Sequence, residues 1–418
     1  MRVCVVGSGG REHALASVLG RDTEVVVTPG NPGIAGSVAT APADIDADLY
    51  VIGPEAPLVA GLADELRAAG KLVFGPGADG AALEGSKAWM KDLLVAAGVP
   101  TAAHGTFTEV APAQAFLATM APPYVVKTDG LAAGKGVLVT DDLDEARAGV
   151  ESYLSGTAFG DAGRTVVIEE GMTGPEVSVL AICDGRRAVA LEPAQDFKRI
   201  GDGDTGPNTG GMGAYSPVPV APPELVAEVM ERFVTPTLDE LVRRGIDYRG
   251  VLYAGLMLTP DGPRMLEYNV RFGDPETQVV VPRLTSSLTE LLAEAAAGEI
   301  RSEPVFGDDA TVTVVCAAEG YPVAPRTGDR ITGIDVASAI DGVDVFCAGV
   351  AADPDVPDAL VTAGGRVLAV TGRGPDLAAA RARAYAAVAE ISWPGMQVRS
   401  DIAADAAGEP NPSGATIT

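Results

Sequence analysis

The alternation of apolar and polar positions divides the chain into elements before any chemistry is considered. Short β-branched runs at Val3–Val6, Glu24–Thr28, Leu49–Ile52 and Leu72–Phe74 predict buried parallel strands, with helical periodicity between them at Glu12–Leu19 and Gly61–Ala69. That order predicts a doubly wound α/β unit. Each strand runs into turn residues: Gly7-Ser8-Gly9-Gly10, Pro29-Gly30-Asn31-Pro32-Gly33, Gly53-Pro54-Glu55 and Gly75-Pro76-Gly77. Ligands gather at such carboxyl ends in open α/β sheets. A helix is predicted over Lys87–Ala97, stopped by Gly98 with Pro100 beyond.

From Tyr124 the pattern becomes strand, glycine loop, helix (Leu143–Leu154) and strands at Thr165–Glu169 and Glu176–Cys183. The stretch Glu192–Pro219 is dominated by Gly, Asp, Pro and Asn and predicts a long loop, a length that usually signals function or disorder. A helix over Glu224–Arg244 precedes two strands, Val251–Leu258 and Arg264–Phe272, joined by a turn at Pro260-Asp261-Gly262. After a helix at Leu288–Ala297, strands are predicted at Thr311–Ala317, Val343–Val350 and Arg366–Thr371, then a helix over Leu377–Ile391. The tail from Asp401 lacks periodicity and is expected to fray.

Within the second strand of that pair, Leu266-Glu267-Tyr268-Asn269-Val270-Arg271-Phe272 splits by alternation. Glu267, Asn269 and Arg271 fall on one face; Leu266, Tyr268, Val270 and Phe272 fall on the other. A carboxylate, an amide and a guanidinium in a row are costly on a buried sheet unless something polar covers them. Oxygen donors from Glu267 and Asn269 suit Mg²⁺ shared with phosphate, and Arg271 suits the adjoining anion. A structural salt-bridge strand is the competing reading.

With 418 residues, the chain is expected to form two to four domains of ~100–200 residues. A net charge of −27, from 57 acids against 30 bases, argues against general binding to nucleic acid or anionic membrane. The four cysteines form no CxxC pair and sit in apolar runs, which predicts buried free thiols in a reducing cytosol. No signal peptide or membrane span is expected, so the sequence reads as a soluble cytoplasmic protein.

Other constellations are more open. Gly7-Ser8-Gly9-Gly10-Arg11-Glu12 follows a strand and opens a helix, which suits a phosphate or a plain tight turn. A dinucleotide is disfavoured, because Glu12 replaces the third fingerprint glycine and the second strand ends in Thr28-Pro29. Lys127 at a strand end, with Lys135 on the following Gly/Ala loop, suits a phosphate-gripping lid or a solvated hairpin. Glu169-Glu170 fits an adenine and ribose contact or an exposed acidic turn. His13 and His104, the only histidines, show no triad spacing; His104 is expected in a linker.

The phosphate lid at Lys127–Val137, the paired glutamates and the Glu-x-Asn-x-Arg strand occur in the order found in ATP-grasp enzymes. Three segments narrow the resemblance: Gly7-Ser8-Gly9-Gly10-Arg11-Glu12-His13-Ala14, Gly206-Pro207-Asn208-Thr209-Gly210-Gly211-Met212-Gly213 and Arg271-Phe272-Gly273-Asp274-Pro275-Glu276. Together they resemble the glycinamide ribonucleotide synthetase family over residues 1–400. The resemblance implies a sugar-phosphate-binding unit at 1–100 and a central α+β ATP-grasp unit at 101–308 with a mobile lid at 121–188. A small strand-rich unit at 309–400 and a flexible tail at 401–418 complete it. Also implied are ATP with Mg²⁺ or Mn²⁺, and ligation of glycine to 5-phosphoribosylamine through glycyl phosphate by a monomer without nucleic-acid or membrane partners.

Carried over by position, Lys87 and Lys127 match phosphate lysines, and Gly134, Lys135 and Gly136 the lid loop. Glu169, Glu170 and Met172 match the adenine hinge, Glu176 the ribose acceptor, and Glu267 and Asn269 the metal ligands. Arg271, Lys127 and Asp196 match catalytic positions. Gly9, Gly10, Arg11, Glu12, Asn31, Pro32, Gly33, Gly53, Pro54, Glu55, Asp196, Gly210, Gly211, Met212 and Arg271 match substrate-binding positions. The preceding strand, Tyr253–Leu258, offers no further acid, so a metal there leans on water and ATP.

Overall fold

A computed structural model of the chain describes residues 1–131, 136–156 and 164–409. The β-branched runs of the first unit form strands β1 (Arg2–Gly7), β2 (Glu24–Pro29), β3 (Leu49–Ile52) and β4 (Val73–Phe74), all parallel in the order β2-β1-β3-β4. The strand order switches sides between β1 and β3, which creates the crevice expected of a doubly wound sheet. Two helices there, Glu55–Val59 and Ala78–Gly85, escape the sequence pattern because each is short and rich in Ala, Gly or Pro.

A second, antiparallel sheet has the order β5-β8-β6-β7, from β5 (His104–Phe107), β6 (Tyr124–Thr128), β7 (Val137–Thr140) and β8 (Val166–Glu170). Helices Val110–Leu117 and Leu143–Leu154 cover one face, and Leu117, Val126, Val150 and Ile168 form a core separate from the rest of the chain. A subunit with its own core can move as a body. It begins earlier than expected, since His104 lies on β5 rather than in a linker. It also ends earlier, since Glu176–Cys183 pairs elsewhere.

That strand, β9 (Glu176–Asp184), belongs to a third sheet ordered β10-β9-β15-β16, with β10 at Ala188–Ala190, β15 at Arg249–Thr259 and β16 at Gly262–Asn269. The helix Lys87–Ala97 packs on β16 and on helix Thr235–Arg243 as well as on the neighbouring helix Ala78–Gly85, and so joins this sheet to the first unit. The helix expected over Glu224–Arg244 is interrupted by a π turn at Met230–Val234, just before Pro236. A proline cannot donate to the preceding turn, and widening the helix there absorbs the missing bond.

The 192–219 stretch is not a structureless loop. It supplies β11 (Gln195–Asp196), a hairpin of β12 (Arg199–Gly201) and β13 (Thr205–Asn208), and β14 (Gly213–Ser216). β11 and β14 join β17 (Ala310–Ala317), β18 (Val343–Cys347) and β21 (Arg366–Gly374) in a sheet ordered β11-β14-β17-β21-β18. The small pair β19 (Val350–Ala352) and β20 (Leu360–Thr362) lies between β18 and β21 in sequence. The segment from Asp401, expected to fray, is packed as far as it is described: Ile402, Ala403 and Ala404 are buried. Arg399 anchors it, fully buried, with Asp401 and Asp204 both at 2.6 Å. The four cysteines are buried and unpaired. Among the described residues, no helix is long and apolar enough to cross a membrane.

Helix Leu377–Glu390 sits directly on β21 at Gly372, where a Cβ would lie 2.3 Å from the Ala380 carbonyl and 2.4 Å from the Ala384 amide. Backbone cannot yield as a side chain can. Gly372→Ala is therefore predicted to lower stability by about 1–3 kcal/mol, read as a fall of several degrees in the melting midpoint. An unchanged midpoint would contradict this packing.

Candidate active site

A cleft of about 1280 Å³ opens where the third sheet faces the lid sheet and the two flanking units. Its floor is the end of β16. Opposite Gly255 and Leu256, which pair with Glu267 and Met265, Leu266 is an extra residue in a bulge. The predicted alternation therefore slips there, and Leu266 lines the cleft beside Glu267 rather than backing it. Alternation then resumes: Tyr268, Val270 and Phe272 are buried, Tyr268 with an edge on the cleft, while Glu267, Asn269 and Arg271 line it. The strand itself stops at Asn269, so Arg271 projects from the turn beyond.

Arg271 is held on three sides. It donates to Glu84 at 2.9 Å, to Glu55 at 3.2 Å and to the Asn269 side-chain oxygen at 3.1 Å. Burial alone would weaken the charge, but Glu84 and Glu55 hold the guanidinium well above the ordinary arginine value. Glu55 falls below the usual carboxylate range, because Arg271 and Arg11 outweigh its burial. Glu84 is pushed up by burial, which outweighs its share of Arg271 and the Val270 amide. Glu84 and Glu55 come from the two short helices that the sequence pattern did not reveal.

The lid sheet supplies the opposite wall. Val125 and Lys127 point into the cleft, while Val126 between them packs into the lid core. Lys127 pairs with Glu169 at 3.1 Å, and Lys91 pairs with the other Glu169 oxygen, also at 3.1 Å. Glu169 and Glu267 raise the Lys127 pKa against the effect of burial. Burial pulls Lys91 down to about 8. Lys87 lines the cleft and donates to the Gly130 carbonyl at 3.1 Å. The Glu170 carboxylate is taken by Arg264 at 2.6 Å and the Ala103 amide at 3.0 Å, while Gly171 and Met172 line the cleft. Gly134 and Lys135 lie outside the described residues; Gly136 lines the cleft.

The third wall is a chain of charges. Lys198 bridges Asp196 at 2.8 Å and Glu176 at 2.7 Å. Glu276 accepts from the Tyr253 hydroxyl at 2.6 Å, and that hydroxyl lies 2.7 Å from the Ser178 hydroxyl. Burial raises both Asp196 and Glu276 above ordinary carboxylates, with Glu176 repelling Asp196 and Asp196 repelling Glu276. From the C-terminal sheet, Arg366 enters the cleft and binds Asp274 at 2.9 Å and the Gly210 carbonyl at 2.5 Å. Lys91, Lys198, Glu84 and Arg366 carry no local motif of their own; only their tertiary neighbours single them out, whereas Glu276 closes the Arg271–Glu276 segment read in the sequence.

The first-unit loop is used differently from a dinucleotide fingerprint. Glu12 accepts from the Gly9 amide at 2.6 Å and pairs with Arg11 at 2.5 Å. Its carboxylate fills the crevice between β1 and β3 so closely that a Cβ on Gly53 would lie 2.0 Å from it. An acid there repels a pyrophosphate. Arg11, Pro54 and Glu55 line the cleft, whereas Gly9, Gly10, Glu12, Pro32 and Gly53 stand behind it. Asn31 spends its amide on the Ser8, Cys347 and Ala348 carbonyls, and Gly33 fits against Cys347, so this turn locks the first unit to β18. His13 joins the same lock, accepting from the Cys347 amide at 2.8 Å; burial lowers its pKa to about 4, so it is neutral. Gly210 lines the cleft, Gly211 lies beside it and Met212 is buried.

Among the described residues, no cluster of three or more His, Cys, Asp or Glu side chains could hold a metal by itself. Glu267 and Asn269 offer two oxygen donors on the cleft surface, a set that fits a hard cation completed by phosphate and water and does not fit a closed zinc site.

Models of the phosphoribosylglycinamide synthetase N domain, ATP-grasp (A) domain and C domain match residues 1–84, 85–277 and 311–405. The phosphoribosylamine–glycine ligase of Streptomyces coelicolor is 52% identical, over 98% of this chain and 100% of its own. A crystal structure of phosphoribosylamine–glycine ligase from Thermotoga maritima superposes with a TM-score of 0.86 at 35% identity, over 96% of this chain and 100% of that one. The biotin carboxylase domain of Hydrogenobacter thermophilus 2-oxoglutarate carboxylase shares the fold at a TM-score of 0.71 and 16% identity, over 95% of this chain and 91% of that one. With all three domain models matched in order, the chain belongs to the phosphoribosylglycinamide synthetase family.

Proposed function

We propose that the cleft uses ATP to activate the carboxylate of glycine as glycyl phosphate and passes the glycyl group to the amine of 5-phosphoribosylamine. The products are glycinamide ribonucleotide, ADP and phosphate, a step of de novo purine biosynthesis. One observation carries the reading: the oxygen donors and arginine at the end of β16 share a cleft with Lys87 and Lys127. A carboxylate–amine ligase needs a polyphosphate held beside an activated acyl group, and this arrangement supplies cations on two walls.

In the first step a glycine carboxylate oxygen attacks the γ-phosphorus and ADP leaves. Arg271 lies beside the position of the transferred phosphoryl group, and Lys87 and Lys127 hold the phosphates; such placed charges count for more in a cleft than in water. Glu267 and Asn269 would hold Mg²⁺ or Mn²⁺, whose chemistry there is to neutralise charge on the phosphates. In the second step the amine nitrogen attacks the acyl carbon, phosphate leaves, and the nitrogen gives up a proton. Asp196, in the cleft wall, is the group proposed to accept it. Arg11, Pro54 and Glu55 face the cleft from the first unit and suit the sugar phosphate. The lid, bearing Gly136 and Lys127, keeps water from the acyl phosphate by closing as a body.

ADP release is expected to require glycine and 5-phosphoribosylamine together, tested by omitting each in turn. Equal turnover with bicarbonate in place of glycine would favour a carboxylase instead. Glu267→Ala is predicted to lower kcat at least a hundredfold, a loss of about 3 kcal/mol, and to blunt the Mg²⁺ dependence. Tyr268→Phe should keep kcat within about twofold. The Tyr268 hydroxyl is buried beside Thr237. Wild-type kcat and metal response in Glu267→Ala would refute the assignment of this strand.

A further inference from the structure

Lys91 lies one turn beyond Lys87 on the same helix and is fully buried. Its ammonium donates to the Thr101 hydroxyl at 2.7 Å and pairs with Glu169 at 3.1 Å. The Thr101 hydroxyl in turn donates to the Met265 carbonyl at 2.8 Å, immediately before the bulge that carries Leu266 and Glu267. The remaining Glu169 oxygen faces Lys127 at 3.1 Å as an ion pair without the alignment of a hydrogen bond. Lys91 thus ties together three pieces of the cleft: the helix of Lys87, the lid strands of Lys127 and Glu169, and the strand of Glu267.

Burying an ammonium costs several kcal/mol before its partners are counted, and an apolar side chain of similar volume usually packs at no loss. Stability alone therefore gives a weak reason for a lysine here. The charge count gives a better one. Two ammoniums share one carboxylate, so the Lys91–Glu169–Lys127 group carries one net positive charge. Without Lys91 that charge would vanish, and Glu169 would draw on Lys127 alone.

We propose that Lys91 is a positioning residue for nucleotide binding, taking part of the Glu169 charge so that Lys127 keeps an uncompensated positive charge for the polyphosphate. The inference rests on the reading that ATP occupies this cleft. Lys91 does not touch the nucleotide; it acts through Glu169.

The test compares steady-state constants of the wild type, Lys91→Met, Glu169→Gln and the double variant, each checked by a melting curve. Removing one unit charge at this distance is expected to raise the KM for ATP about tenfold or more in Lys91→Met. Its KM for glycine and its kcat should stay within about twofold, because the lost interaction is with the bound nucleotide. The double variant Lys91→Met/Glu169→Gln restores one net positive charge and is expected to recover most of the ATP affinity. An unchanged KM for ATP in Lys91→Met would overturn the proposal. So would a double variant no better than Lys91→Met, which is what a purely structural role predicts. If Lys91→Met does not fold, Lys91→Gln, which removes the charge but keeps a polar partner for Thr101, decides: its KM for ATP should rise about tenfold or more, and an unchanged value overturns the proposal. Wild-type ADP release that fails to saturate with ATP would instead refute the underlying reading. A normal wild type with unmoved variants refutes only the role of Lys91.

Discussion

A buried cation without a counter-charge is costly, and a cleft built for a polyphosphate must nevertheless keep cations ready. Acids within the cleft resolve that conflict. Lys127 is paired with Glu169, Lys198 with Asp196 and Glu176, Arg271 with Glu55 and Glu84, and Arg366 with Asp274. Each pair keeps its base charged and fixed before any substrate arrives. In the proposed reaction, phosphate and carboxylate groups compete for these same bases, so the protein exchanges one set of charge-assisted bonds for another and avoids baring a charge.

The turn from Arg271 to Glu276 is where the pieces of the chain meet. Arg271 reaches Glu55 of the first unit, Arg11 of that unit donates to the Phe272 carbonyl at 3.1 Å, and Asp274 binds Arg366 of the C-terminal sheet. Glu276 continues into the Tyr253–Ser178 hydrogen bonds of the third sheet. A site assembled from three units around one turn suits a reaction in which a nucleotide, an amino acid and a sugar-phosphate amine must meet away from water. In the proposed reaction the lid, which has its own core, is the part that would open for them.

Much of this was legible in the sequence wherever the signal was local. Buried β-branched strands, the helix Lys87–Ala97 with its glycine stop, and the apolar face of Tyr268, Val270 and Phe272 follow from periodicity alone. The bulge at Leu266 was not legible, because it depends on the register against Gly255 and Leu256 in the partner strand. β11 and β14 hide among glycines and prolines and exist because β14 pairs with β17 and β11 with β14. The packing of residues 401–404 was hidden for a similar reason: its anchor is the ion pair of Arg399 with Asp401, closed by the distant Asp204. Lys91, Lys198 and Glu84 sit in ordinary helical or loop contexts, and only a folded neighbourhood distinguishes them from surface charges. The converse holds for Asn31 and Gly33, whose turn-like sequence suits a ligand but whose atoms are spent on joining β2 to β18.

Oxygen transfer tests the central chemical claim most directly. If glycine is activated through its carboxylate, glycine labelled with ¹⁸O in both carboxylate oxygens must pass one of them to phosphate as the amide forms. Mass spectrometry of the phosphate released in a complete reaction with ATP and 5-phosphoribosylamine should find one ¹⁸O per phosphate. Phosphate without label, with glycinamide ribonucleotide still formed, would contradict an acyl phosphate route and with it the proposed role of the cleft.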